Sequence, residues 1–156
     1  MLISSVHFGS GGNCVLSYEE SEQWLQATWS GLVGDYEAMQ GARNYLDKVV
    51  AHPCAFFLNN NLALHGPWFS SVDWLEHAWL PQAQRLGLRY IAHVVQVDKG
   101  ADILTLTTTD HLSSLLGLEL QLFHDLADAQ DWLRKCQHQA GERRPATPAA
   151  REREAR

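Results

Sequence analysis

Residues 55–97 constrain the fold of this chain more than any other stretch. They open on an apolar run, AFFL, and close on a second, YIAHVVQV. Such runs suit strands covered on both faces. Between them stands an asparagine triplet, Asn59-Asn60-Asn61, which reads as a turn, then Gly66-Pro67-Trp68. A Trp-rich helix follows, capped by Ser70 or Ser71 and ended by Gly87. Pro81 lies inside it and predicts a kink or local break near Ala78, because proline lacks the amide hydrogen and crowds the preceding turn. Strand, helix and strand in this order imply a right-handed parallel crossover.

The remaining elements can be laid against that unit. Residues 1–12 end in glycines and carry no periodic signal, so they read as a flexible lead-in. CVLSY and WLQATW, separated by a polar EESEQ turn, read as a β-hairpin. The second of these strands alternates, with Trp24, Gln26 and Thr28 on one face and Leu25, Ala27 and Trp29 on the other. A helix over 36–51 follows, capped by Asp35, and its apolar stripe is predicted at Tyr36, Met39, Ala42, Leu46, Val49 and Val50. His52-Pro53 closes it. LELQLF reads as a last strand and Asp125 as the cap of a last helix, 126–136, burying Ala129, Trp132 and Leu133. Residues 98–116 read as a mostly helical or irregular connection, and 137–156 as a disordered tail without apolar anchors. The expected architecture is α/β, a mixed sheet of about five strands flanked by helices. One domain over 13–136 accounts for it.

Composition narrows the function classes. Residues 1–136 hold 15 acidic against 7 Lys and Arg residues, a balance of −8, and 137–156 hold 3 against 5, a balance of +2. An acidic body argues against nucleic acid, whose phosphates need a basic patch. No apolar run approaches the roughly 20 residues of a membrane span, and the N-terminus lacks the basic region of a signal peptide. A cytoplasmic protein with no membrane insertion is the expectation. Cys14, Cys54 and Cys136 are far apart and without CxxC spacing, so neither a disulfide framework nor a zinc site is expected.

With its elements in order, the chain resembles the STAS-like (SpoIIAA-like, STAS/SEC14) family of small bacterial domains. The resemblance rests on Trp24-Leu25-x-x-x-Trp29, the Asn59-Asn60-Asn61 stretch with Gly66-Pro67-Trp68, Trp74, and Trp79-x-Pro81. It continues through Leu86-Gly87-Leu88-Arg89-Tyr90-x-Ala92, Phe123-x-Asp125 and Ala129-x-x-Trp132-Leu133. It implies a STAS-type sheet flanked by about four helices and a non-enzymatic, regulatory role that binds a protein partner or a small ligand. A homodimer is compatible with it. In the phosphoregulated branch a kinase modifies a serine at the N-terminus of the helix after the central strand. Here that place reads Asn59-Asn60-Asn61, with no hydroxyl, which disfavours the switch; Ser70 and Ser71 follow about ten residues later and read as helix caps. An anti-sigma-factor antagonist switched at either serine is the second reading.

The chemistry-bearing residues give no complete catalytic site. Asp73 and His77 stand i, i+4 on one helix, and with His65 could hold a metal ion, but a solvent-facing pair explains them as well. A metal-dependent enzyme is thus the weakest reading, and no cofactor is expected. No GxSxG or helix-start cysteine supplies a nucleophile, and the glycines at 9, 11 and 12 lack the Lys-Ser/Thr of a phosphate loop. His93, inside YIAHVV, reads as a hydrogen-bonded core or cleft residue. Polar and aromatic residues gather instead near the carboxyl end of the first crossover strand, where open α/β sheets place ligands. Asn59, Asn60, Asn61, His65, Trp68 and Asp73 are the candidate binding residues.

Overall fold

The two apolar runs form adjacent parallel strands in the computed structural model, which describes residues 1–66, 72–97 and 117–142. In chain order the strands are β1 (Leu2–His7), β2 (Asn13–Glu19), β3 (Trp24–Leu32), β4 (Phe56–His65), β5 (Tyr90–Val94) and β6 (Glu119–Phe123). They make one six-stranded sheet in the order β1-β2-β3-β4-β5-β6. The first two pairings are antiparallel and the other three parallel. Three helices flank it among the described residues. These are α1 (Asp35–Val49), a composite α2 over 72–85, and α3 (Leu126–Glu142). The mixed α/β architecture is the expected one, and the described residues hold one strand more than the sequence suggested.

The additional strand is β1, inside the stretch read as a flexible lead-in. LISSVH gives almost no apolar alternation because an edge strand needs only one neighbour, and most of its side chains stay at least partly in solvent. At the other end, α3 runs beyond 136. The Gln137 amide donates to the carbonyl oxygens of Glu22 (2.7 Å) and Gln23 (3.2 Å), and Arg134 pairs with Glu22 at 2.8 Å. Those contacts fasten the helix to the β2–β3 turn and extend the ordered chain into the stretch assigned to the tail.

The predicted alternation in β3 is what the structure shows, and it divides the core in two. Leu25, Ala27 and Trp29 face α1 and α2 together with Phe57 and Ile91. Trp24 faces α3 with Leu58, Ala92 and Val94. Asp125 caps α3 as expected, its Oδ1 accepting the Ala127 amide at 3.0 Å.

The buried stripe of α1 matches prediction in part, with Ala42 and Val49 buried and Met39 and Leu46 half-buried, and departs from it at the two ends. Ala38, Gly41, Ala42, Tyr45 and Val49 are buried, whereas Tyr36 and Val50 are 66% and 65% exposed. The helix is rotated so that its small residues meet the sheet. A Cβ on Gly41 would lie 2.3 Å from the Trp29 ring, so this position admits only glycine if the indole keeps its place. The expected cap is also displaced by one residue. Gly34 is the N-cap, and Asp35 opens the helix, its carboxylate accepting the Tyr36 amide at 2.8 Å.

Pro81 has the predicted consequence in a specific form. Residues Val72–Trp74 are α-helical, Leu75–Trp79 form a π-helical turn, and Leu80–Arg85 resume the α-helix. A π turn widens the ladder where the proline cannot donate and where its ring crowds the preceding turn. It also carries Trp79 inward, and the indole donates to the Ala42 carbonyl oxygen at 2.7 Å, joining α2 to α1. Gly87 (φ +110°) ends the helix as expected, with the Leu88 amide returning to the Ala83 carbonyl at 3.1 Å.

Candidate functional site

The asparagine triplet is not a turn. It lies inside β4, which continues to His65. Asparagine is a poor strand former by propensity, so tertiary partners must hold it there, and they do. Asn59 is in register between Ala27 on β3 and His93 on β5. Its Oδ1 accepts the Trp29 indole N–H at 2.9 Å. Its Nδ2 lies 3.0 Å from Asn61 Oδ1 and 3.0 Å from His93 Nδ1.

The donor inventory orients this chain without ambiguity. An indole nitrogen only donates, so the atom of Asn59 that receives it is the carbonyl oxygen. The two amide hydrogens of Asn59 then go to Asn61 Oδ1 and His93 Nδ1. His93 Nδ1 is therefore an acceptor, and the neutral ring carries its proton on Nε2. Burial keeps the ring neutral, pushing its pKa down to about 4.

These residues form one wall of a cavity of about 110 Å³ between the sheet and the helices α1 and α2. Apolar side chains supply most of the rest, among them Leu64, Leu75, Leu80 and Ile91, with Trp29, Tyr45 and Trp79 as its large rings. Tyr45 packs on Phe57 and Trp79 at centroid distances of 4.7 and 5.2 Å. It is 3% exposed, and its hydroxyl has no hydrogen-bond partner among the described residues. Burial raises the pKa of this phenol, so it is protonated and able to donate. Cys14 also lines the cavity, but burial pushes its thiol up to about 12. It is no nucleophile at neutral pH. No carboxylate, lysine or arginine is among the described residues that line it.

The candidate binding set is thus divided. Asn59 and Asn61 belong to the cavity. Asn60 points to the opposite face of the sheet, where its Oδ1 accepts the Leu62 amide at 3.0 Å beside the irregularity in β3–β4 pairing. That irregularity is a bulge of the kind that re-aims side chains: beyond it Leu64, rather than Ala63, returns to the cavity. His65 is exposed at the end of β4. Asp73 is exposed on α2 with His77, at 3.2 Å. The Asp73 backbone carbonyl and then its carboxylate raise the His77 pKa. Among the described residues Glu76, not His65, is the third group near that pair, all three ligand atoms lying within 4.8 Å of one another. Trp68, Ser70 and Ser71 lie outside the described residues, as does the connection 98–116. Two important residues were not in the candidate set. His93 is the hydrogen-bonded core or cleft residue that its place in YIAHVV implies. Tyr45 is legible only from the Ala38, Ala42, Tyr45, Val49 spacing of α1.

No family model matches the sequence, and no curated protein matches it. Among solved structures the chain is similar to an anti-sigma factor antagonist from Mycobacterium paratuberculosis, with 14% identity over 83% of this chain and 99% of that one and a TM-score of 0.57. It is also similar to an uncharacterized protein from the DUF3478 family with a SpoIIAA-like fold from Shewanella loihica PV-4. There the identity is 19% over 79% of this chain and 94% of that one, with a TM-score of 0.49. The chain shares the fold of that anti-sigma factor antagonist, in keeping with the fold that the sequence resemblance implies. No helix among the described residues is long and apolar enough to cross a membrane.

Proposed function

We propose that the chain is a non-catalytic STAS-like module that binds a small molecule in the cavity beneath α1 and α2. The observation that supports this reading most is the Trp29–Asn59–Asn61–His93 chain. Buried Asn61 and His93, with half-buried Asn59 between them, cost free energy unless paired, and an apolar set could have filled the same space. A polar wall on an apolar cavity is the usual make-up of a ligand pocket. Binding fits better than catalysis because, among the described residues of the lining, His93 is held neutral and Cys14 protonated, so neither is poised to exchange protons near neutral pH. The test is a titration of the isotope-labelled full chain with compact neutral molecules. Saturable amide shifts should centre on residues 57–61 of β4 and on β5. Were no such molecule to produce saturable shifts at millimolar concentration, the cavity would be a packing defect and the reading would fall.

A protein partner is the second reading, favoured by the anti-sigma factor antagonist among the similar structures. The course of β4 strengthens it in one respect. The asparagines lie inside β4, which runs on to His65, so they do not stand between strand and helix, and Ser70 and Ser71 follow that strand in sequence. Mass spectrometry of the 67–85 region from native cells tests it. A phosphoserine that appears under some growth condition would favour the switch; an unmodified peptide under all conditions would remove it.

A further inference from the structure

Resting on the small-ligand reading, we infer that the cavity selects a compact, uncharged molecule bearing an acceptor oxygen, read by the Asn61 amide and the Tyr45 hydroxyl. The first step is the direction of the hydrogen-bond chain. Trp29 fixes the carbonyl end of Asn59, Asn59 fixes the carbonyl end of Asn61, and the Asn61 Nδ2 is left with two hydrogens. Asn61 is 6% exposed and lines the cavity, and its Nδ2 has no partner among the described residues. The second step is independent. Tyr45 lies on α1 rather than on the sheet, lines the same cavity, and also holds a buried hydroxyl without a partner among the described residues. Both groups can donate. A ligand oxygen with free lone pairs would satisfy the buried Tyr45 hydroxyl, which is costly to leave unmet, and accept a second bond from the Asn61 amide.

Charge and size complete the class. Among the described residues lining the cavity there is no lysine or arginine to meet an anion and no carboxylate to meet a cation. An unpaired ion in such a space would lose its hydration with nothing in return. The volume is about 110 Å³, and an apolar cavity of roughly 150 Å³ accommodates benzene. The occupant is therefore of the order of six non-hydrogen atoms, a small cyclic ketone being a good representative.

The experiment compares three probes of similar shape on the full chain: cyclopentanone, its hydrocarbon isostere methylenecyclopentane, and cyclobutanecarboxylate. Binding is followed by amide shifts in the wild type, Tyr45→Phe and Asn61→Leu, each first checked for a dispersed, native-like spectrum. Two variants are used so that the loss of one fold does not end the test. The ketone should bind saturably and lose about tenfold in affinity in either variant, the equivalent of one good hydrogen bond. The hydrocarbon should be unaffected by either change, and the carboxylate should bind at least tenfold more weakly than the ketone. Ketone binding that ignores both substitutions, or a carboxylate that binds best, would overturn this inference while leaving a small-ligand module standing. If none of the three binds, the small-ligand reading itself fails and this inference fails with it.

Discussion

On the α3 side of the sheet, Trp24, Leu58, Ala92, Val94, Ala129 and Leu133 are at most 1% exposed and form a small, dry cluster. On the α1 and α2 side, the same strands place Asn59, Asn61 and His93 among aromatic rings and enclose a cavity. The side-chain alternation of β4 makes the contrast direct, since Phe56 and Leu58 go one way while Phe57, Asn59 and Asn61 go the other. Half-buried Asn60 shows that the α3 face also takes polar residues at its margin, but the buried ones, Asn61 and His93, are on the cavity side. The α3 face shows that this chain can close a core with apolar side chains. The polar, incompletely filled face is accordingly the place where the molecule departs from best packing, as sites of function do.

Truncation should separate the two faces most strongly. Leu133→Ala removes a fully buried side chain from the dry cluster and should destabilise the protein by about 2–5 kcal/mol, toward the upper part of that range. Leu64→Ala, on the cavity wall, should fall toward the lower part, because one side of that leucine already lacks partner atoms. Urea unfolding of both variants measures the difference. Equal costs would mean that the cavity closes in solution and that the faces are packed alike.

Acid should distinguish them next. Burial lowers the His93 pKa from its ordinary 6.5 to about 4 in the folded chain. Between those values the unfolded chain binds the proton and the folded chain does not, so stability rises with pH across that window. The contribution is fully present above pH 6.5, declines as pH falls toward 4, and amounts to about 3 kcal/mol. The other titratable groups lining the cavity, Cys14 and Tyr45, stay protonated throughout this range. His93→Gln retains an acceptor for Asn59 and should flatten the profile between pH 6.5 and 5, above the main carboxylate titrations. An unchanged slope in that variant would show that His93 is already solvated or charged in the folded state.

How much of this the sequence discloses depends on the range of the forces involved. The alternation of β3, the apolar run of β5, Gly87 at the end of α2 and Asp125 at the start of α3 are local signals, and each reads correctly. The π turn at Leu75–Trp79 is legible as a consequence of Pro81. By contrast, Asn59-Asn60-Asn61 reads locally as a turn because what keeps it in a strand is distant: Trp29 is 30 residues away and His93 is 34. The phase of α1 is misread for a related reason. Tyr36 and Val50 are more apolar than Gly41, but the helix turns its small residues toward the Trp29 ring. Asn59 and Asn61, two of the residues proposed from sequence, line the cavity from inside a strand and not from a turn. The cavity could not be named, because a void is a property of several packed elements and of no one segment.

The smallest expected effect is the most discriminating. Ala27 on β3 and Ala92 on β5 are both buried strand alanines, 4% and 0% exposed, on opposite faces. Replacing either by valine adds the same two methyl groups and the same gain in strand propensity, so those contributions cancel between the two variants. Ala92→Val must force the methyls into a cluster with Leu58, Val94, Ala129 and Leu133, and overpacking of this kind costs about 1–3 kcal/mol. Ala27→Val directs them to the cavity side, where Ala27 forms part of the lining, and should change stability by no more than about 0.5 kcal/mol in either direction. The same variant narrows the space for a ligand of about six non-hydrogen atoms, so cyclopentanone should bind it more weakly while the fold is unaffected. A stability that barely moves together with a weakened ligand is the signature of free volume kept for an occupant. If instead Ala27→Val destabilises as much as Ala92→Val, the space beneath α1 is not available to side chains or to ligands, and the asymmetry of the two faces is one of polarity alone.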